Sequence, residues 1–268
     1  MVSARPIPVA LTIAGSDSGG GAGVQADLKT FAALGVHGTS AITCITAQNP
    51  AAVTAVQAVR PELLRAQLEA VFSELPPAAI KTGMLFSTRL IGTVTDFFNG
   101  LQARRPALVV DPVMVATSGA RLLKPGAIRA LKNDLLPLAT LVTPNLDEAS
   151  LLVGRTVTSV ADARVAAREI HETWGCAVLV KGGHRPEETE AIDVLCHGGR
   201  TTMLRSRFIP AAATHGTGCT LSAAITAQLA RGTALPAAVR HGKLFISRAI
   251  AQRYRAGRHE HLHPLAKP

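Results

Sequence analysis

An alternation running the length of the chain constrains its fold more than any single motif. Short apolar runs at residues 9–13, 107–110, 141–143 and 177–180 each give way to a glycine-rich or polar cluster, and stretches with helical spacing lie between them. Runs that are apolar on both faces belong to strands covered on both sides, which means a mainly parallel sheet between helical layers. The polar clusters fall at residues 15–23, 48–49, 81–84, 111–119, 145–148, 181–184 and 215–219, after a predicted strand or at the opening of a helix. Ligands of open α/β sheets bind beyond the carboxyl ends of the strands. The clusters are therefore expected to meet in one cleft.

Local signals fill in the remaining elements. A helix is predicted over 24–34, with Phe31 and Leu34 on its apolar side, and a strand over 39–46. Pro61 opens a helix to 72 that carries Leu64, Leu68 and Val71 at helical spacing. Ser87 and Ser159 are placed to cap helices ending at 98 and about 174. A helix over 125–135, a hairpin of 192–196 and 201–204 around Gly198-Gly199, and helices over 220–230 and 236–254 complete the set. No linker or repeat intervenes. Residues 1–258 read as a single domain and 259–268 as a loose histidine-containing tail.

Composition removes several function classes. With 47% hydrophobic and 17% charged residues the chain is not intrinsically disordered. Aromatics at 3% argue against a stacking surface for single-stranded nucleic acid. The formal charge of +10 is scattered, apart from Arg248, Arg253, Arg255 and Arg258. It reads as a solvated surface or as steering of anionic small molecules, and no nucleic-acid partner is expected. Cys44, Cys176, Cys196 and Cys219 form no CxxC pair, so neither structural zinc nor a disulfide framework is expected, and a reducing, cytoplasmic location fits. The run 8–15 after Arg5 faintly imitates a signal peptide, but it passes straight into a glycine loop and reads as a first strand. No apolar stretch is long enough for a membrane span.

Two motifs are decoys. Gly21-Ala-Gly23-Val-Gln-Ala26 matches G-x-G-x-x-A, but the next acid after Asp27 is Glu62, too far away to hold a dinucleotide ribose. His259-Glu-His-Leu-His263 matches H-E-x-x-H, yet Pro264 follows at once, and a zinc site needs those histidines on a helix. Neither G-x-x-x-x-G-K-[ST] nor G-x-S-x-G occurs.

The sharpest feature is His215-Gly-Thr-Gly-Cys219 ahead of a helix. Glycines let backbone N–H groups converge at a helix N-terminus, which makes an anion hole, and a thiol there has a lowered pKa. The same residues also read as a plain glycine turn with Cys219 buried. Asn145-Leu-Asp-Glu148 at a strand end could orient a hydrated Mg²⁺ or simply cap a helix. Lys181-Gly-Gly-His184 offers a cation to phosphate oxygens or is an exposed turn. Asp111 is a strand-end carboxylate, either metal-linked or loop-fixing. Gln48 carries an amide able to pair with an aminopyrimidine edge, although a lone loop glutamine is usually just solvated.

Taken in order, the motifs at 14–30, Thr46-Ala-Gln-Asn49, Lys81-Thr-Gly-Met-Leu85, Val110-Asp-Pro-Val-Met-Val115, Thr143-Pro-Asn145, Lys181-Gly-Gly-His184 and the stretch 214–222 closely resemble the hydroxymethylpyrimidine/phosphomethylpyrimidine kinases of thiamine biosynthesis. The resemblance covers about residues 11–232. It implies a three-layer α/β/α ribokinase-like fold with a mainly parallel central sheet. It also implies a phosphotransferase that uses ATP and Mg²⁺, with the monovalent-cation requirement open. Its substrate would be 4-amino-5-hydroxymethyl-2-methylpyrimidine and then the monophosphate of that alcohol, in a homodimer.

On the matching positions, Gln48, Gly15, Asp27, Met84 and Val113 are implied to bind the pyrimidine. Asn145, Lys181, Thr214 and Gly216 are implied to bind the nucleotide, and Glu148 and Asp111 the metal. Gly216, Gly218, Cys219 and Lys181 are implied to carry the chemistry. Relatives outside this branch place an aspartate base where Cys219 stands. Residues 211–213, Thr117 and Ala120 depart from the family pattern, as does the tail. A pyridoxine/pyridoxal kinase and a catalytically weak pyrimidine-binding regulatory protein are the alternatives.

Overall fold

The structure is a computed structural model that describes residues 6–102, 105–114, 123–183, 189–210 and 215–264. Strand β1 (Val9–Asp17) pairs in parallel with β2 (His37–Asn49) and with β4 (Ala79–Thr82). Beyond β4 follow β5 (Ala107–Val110), β6 (Leu141–Val142) and β7 (Ala177–Val180), all parallel. Antiparallel strands close both edges: β3 (Ala52–Ala58) on one side, β8 (Glu190–His197) and β9 (Arg200–Arg207) on the other. Among the described residues this makes one nine-stranded sheet in the order β3-β2-β1-β4-β5-β6-β7-β8-β9.

Alternate residues of each inner strand feed different layers. Leu108 and Val110 join a cluster with α2 (Pro61–Glu74), α3 (Thr88–Gly100) and α6 (Val160–Trp174), through Leu64, Leu68, Val94, Phe98 and Ile170. Val109, Leu141 and Leu179 point the other way, to Leu221, Ile225, Val239 and Ile246 on α7 (Thr217–Ala230) and α8 (Leu235–Ala251). Helix α1 (Gly23–Ala33) packs on that second face through Phe31. This explains why the inner strands read as continuous apolar runs: both faces are dry. Helix α4 (Pro125–Ala130) continues through a π turn and a 3₁₀ turn to Leu138, and α5 (Leu146–Val153) follows β6.

Several elements differ from the sequence reading. β1 runs on to Asp17 instead of ending at 13, because Ser16 and Asp17 pair with Ile45 and Thr46 after a register shift past Gly15. β3 was not expected; it is an exposed edge strand of small residues, without an apolar periodicity to betray it. α8 ends at Ala251, short of the expected 254. The chain then forms a hairpin of β10 (Tyr254–Ala256) and β11 (His259–His261) where a loose tail was expected. Tyr254 stacks on His261 with centroids 5.7 Å apart, and the His263 amide donates to the Ala249 carbonyl at 3.1 Å. His259 and His261 therefore lie on a strand, not a helix, and no metal-binding cluster occurs among the described residues. No helix among them is long and apolar enough to cross a membrane. The departures at 117, 120 and 211–213 lie outside the described residues.

Candidate active site

The carboxyl ends of β1, β2, β4, β5, β6 and β7 open onto one cleft of about 470 Å³, a size suited to small ligands. Its walls include Gly15, Gln48, Met84, Val113, Asn145, Glu148, Lys181, Gly216, Gly218 and Cys219. The strand order arranges them across the sheet. Gln48, Gly15 and Met84 come from the β2-β1-β4 side, Asn145 and Lys181 from the β6-β7 side. Gly15 leaves the wall recessed, since a Cβ there would stand 2.8 Å from Cys44 Sγ. Thr214 lies outside the described residues.

The glycine loop forms the predicted helix N-terminus. Gly216 caps α7 with φ of 82°, a left-handed conformation, and a Cβ on it would overlap the Gly21 carbonyl oxygen. The loop before α1 and the loop before α7 therefore interlock backbone to backbone. At the other end of the same turn, a Cβ on Gly218 would lie 3.1 Å from Lys181 Nζ. The N-terminus of α7 thus spans the cleft from the β1 side to Lys181.

The charges are held by one another. Lys181 Nζ donates to Asp111 Oδ1 at 2.9 Å, and Thr143 and Ser222 hydroxyls donate to the two Asp111 oxygens, both at 3.3 Å. Burial alone would raise Asp111, but Lys181 and Lys81 outweigh it and hold the carboxyl below its ordinary range. Asp111 therefore fixes Lys181 and itself lines the cleft, with its Oδ2 accepting, among the described residues, only from Ser222. Glu148 differs: it is buried, its Oε2 accepts from the Asn145 amide at 2.9 Å and its Oε1 from Met114 at 3.3 Å. Burial, with Asp111 adding to it, pushes the Glu148 carboxyl up against the pull of Lys181. Asn145 accepts from the Glu148 amide at 2.8 Å, so the capping reading of this motif is realised, and both side chains also line the cleft.

Two expectations are corrected. Asp27 does not line the cleft. It is fully buried, accepting from Thr12 at 2.6 Å and from Lys81 Nζ at 2.8 Å, and it is Lys81 that reaches the cleft. The resemblance carried Asp27 to the substrate side because it sits in the opening motif, and sequence alone could not show it facing inward. Burial would lower Lys81, but Asp27 foremost, with Asp111, more than reverses this and keeps the ammonium protonated. Cys219 was expected to have a lowered pKa at its helix terminus. Burial instead pushes its thiol up to about 11, even though Lys81 opposes the rise. The thiol is neutral at pH 7.

The cleft also gathers residues that the sequence reading missed. Asp193 accepts from Lys243 at 2.7 Å and from the Gly182 amide at 2.9 Å, beside Phe208, Ile209, Ile246 and Ile250. None of these carries a local motif; they converge only through the β8-β9 hairpin and α8.

Residues 17–264 match the family model described as Phosphomethylpyrimidine kinase. A hydroxymethylpyrimidine/phosphomethylpyrimidine kinase from Rhizobium meliloti is 51% identical over 91% of this chain and 90% of its own. The structure of an ADP complex of Bacillus subtilis pyridoxal kinase superposes with a TM-score of 0.90 at 38% identity, over 97% of this chain and 98% of that one. A phosphomethylpyrimidine kinase from Clostridium difficile superposes with a TM-score of 0.79 at 43% identity, over 91% of this chain and 99% of that one.

Proposed function

Because the chain belongs to the phosphomethylpyrimidine kinase family and has its ribokinase-like fold, we propose that this cleft transfers the γ-phosphoryl group of ATP to 4-amino-5-hydroxymethyl-2-methylpyrimidine, and then a second phosphoryl group to the monophosphate. The observation that carries the reading is the turn from Gly216 to Cys219, which joins the β1-side wall holding Gly15 and Gln48 to the β7-side wall holding Lys181. Phosphoryl transfer asks for alignment and charge neutralisation more than for covalent help. The backbone N–H groups at the start of α7 and the Lys181 ammonium, fixed by Asp111, face the charge that develops on the transferred group. Lys81, its ammonium buried against Asp27 behind the cleft wall, adds a second positive charge nearby. Cys219 holds its own proton at rest, so it accepts the substrate hydroxyl proton only after its S–H proton has passed to solvent, a loss that Lys81 favours by stabilising the thiolate.

ATP as donor is supported by the ADP held in the Bacillus subtilis relative. Glu148 fits Mg²⁺: it is a buried carboxylate on the cleft wall, and Mg²⁺ takes one or two carboxylates, keeps waters and shares phosphate oxygens. When bound, the ion neutralises charge between the phosphates. Pyridoxine is the second candidate acceptor, favoured by the high structural similarity to a pyridoxal kinase. The homodimer and the cytoplasmic location remain part of the proposal, on the resemblance alone, as does the single-domain reading of 1–258.

Gln48→Ala tests the placement of the acceptor. The Gln48 amide faces the cleft, with its Oε1 accepting from Thr46 at 3.2 Å. Losing a directional donor to a buried ring costs roughly 1–2 kcal/mol. The KM for the pyrimidine is therefore expected to rise about tenfold, with the KM for ATP unchanged. An equal rise in both constants would remove Gln48 from the acceptor site.

A further inference from the structure

We propose that Asp17 is a positioning residue for acceptor recognition: it fixes His215 as the tautomer that carries a proton on Nε2, and this leaves a Gln48 amide N–H for the acceptor ring. The inference rests on the acceptor site proposed above. Asp17 ends β1 and is 3% exposed. Its Oδ1 accepts from the Gly19 amide at 2.8 Å, and its Oδ2 from Gly21 at 3.1 Å and Ala22 at 2.8 Å. Burial would raise this carboxyl, but His215 and the loop amides bring it below the ordinary value. It is ionised and acts only as an acceptor.

His215 Nε2 stands 3.0 Å from Asp17 Oδ2. A nitrogen facing an ionised carboxylate at that distance carries the proton. Gln48 Nε2 lies 3.4 Å from the same His215 nitrogen. Two N–H donors do not bond each other, and Gln48 Oε1 is turned to the other side, 3.2 Å from the Thr46 hydroxyl, whose shorter bond is to the Ser16 carbonyl at 2.8 Å. The Gln48 NH₂ group therefore meets no acceptor among the described residues and is held facing the cleft, where a ring nitrogen would accept from it. The carboxylate does two things at once. It gathers the loop before α1, and it pins the first residue of the anion-hole turn beside the residue that reads the ring.

The test has two readouts. In ¹⁵N-labelled protein at neutral pH, long-range imidazole spectra, with the His215 signals assigned by their loss in His215→Ala, should show a proton on Nε2. A proton on Nδ1 alone overturns the inference. This readout needs no turnover, so it stands even if the pyrimidine is not the substrate. In kinetics, Asp17→Asn should raise the pyrimidine KM about tenfold with the ATP KM unchanged, and should add nothing further in a Gln48→Ala background. Effects that add, or an equal rise in both constants, would show that Asp17 merely stiffens the loop. If Asp17→Asn does not fold, the spectrum of the wild-type protein still decides.

Discussion

A Gly216→Ala variant is expected to lose about a hundredfold to a thousandfold in kcat, the cost of removing one preorganised donor from a charge-stabilising site. Two independent features force this outcome. The φ of 82° is one that alanine adopts only under strain, and the added Cβ would overlap the Gly21 carbonyl, which cannot swing away because it is backbone. The only relief is to move the loop before α7 away from the loop before α1. That movement displaces the very N–H groups that face the phosphoryl group. The fold should survive, since α7 is buried along its length by Leu221, Ala223, Ala224 and Ile225, far from the cap. A melting curve near that of wild type, alongside the collapse in kcat, is the expected pair of results. Turnover within tenfold of wild type would mean that charge is absorbed elsewhere, with Lys181 and Lys81 the remaining candidates.

Lys81→Met should act on stability first. Lys81 and Asp27 are both fully buried, and their 2.8 Å contact is supplemented only by the Thr12 hydroxyl, so that Asp27 Oδ1 is already without a partner among the described residues. Removing one member of a buried ion pair leaves an uncompensated charge and costs about 3–5 kcal/mol. For a chain of this size that is a fall in Tm on the order of 10 °C. The loss depends on pH with a definite sign. Burial already raises Asp27 above its ordinary value, and without Lys81 it rises further. A carboxyl whose folded pKa lies above its unfolded one binds more protons when folded, so stability falls as pH rises. The variant should be closest to wild type at and below the unfolded carboxyl value of about 4, and should lose ground as pH rises from there through the raised folded value of Asp27. Adding Asp27→Leu, which removes the stranded carboxylate, should recover most of the loss and flatten its pH dependence. A Lys81→Met protein with wild-type stability at neutral pH would show that the pair does not hold α1 against β4.

How much of this was legible in the sequence follows from what each residue is near. The inner strands were readable because Leu108, Val109 and Val110 face two dry layers and leave no polar alternation to misread. Ser87 and Ser159 were readable because capping acts within three residues: the Ser87 hydroxyl accepts from Leu90 at 3.3 Å and the Ser159 hydroxyl from Asp162 at 2.9 Å. The loop before α7 was readable because helix dipole, glycine freedom and cysteine sit in one short string. Asp27 was not, since its partners Thr12 and Lys81 come from two other strands, and only the fold shows which side of α1 faces them. The dyad of Asp17 and His215 joins residues 198 positions apart: each lies in a local motif, but no local pattern pairs the two. The pKa of Cys219 was misjudged because a helix terminus acts locally, while burial is set by everything packed around it. The hairpin from Tyr254 to His261 was hidden for the opposite reason, since its exposed, polar strands carry no hydrophobic period.

The most direct test of the central claim is the mass of the products formed by the purified chain with ATP and Mg²⁺, when the pyrimidine alcohol, its monophosphate and pyridoxine are offered separately. Conversion of the alcohol to a monophosphate, and of the monophosphate to a diphosphate, is the predicted result. Phosphorylated pyridoxine with no pyrimidine product would contradict the assignment of the acceptor. No phosphorylated product from any of the three would contradict the account of the cleft as a kinase site.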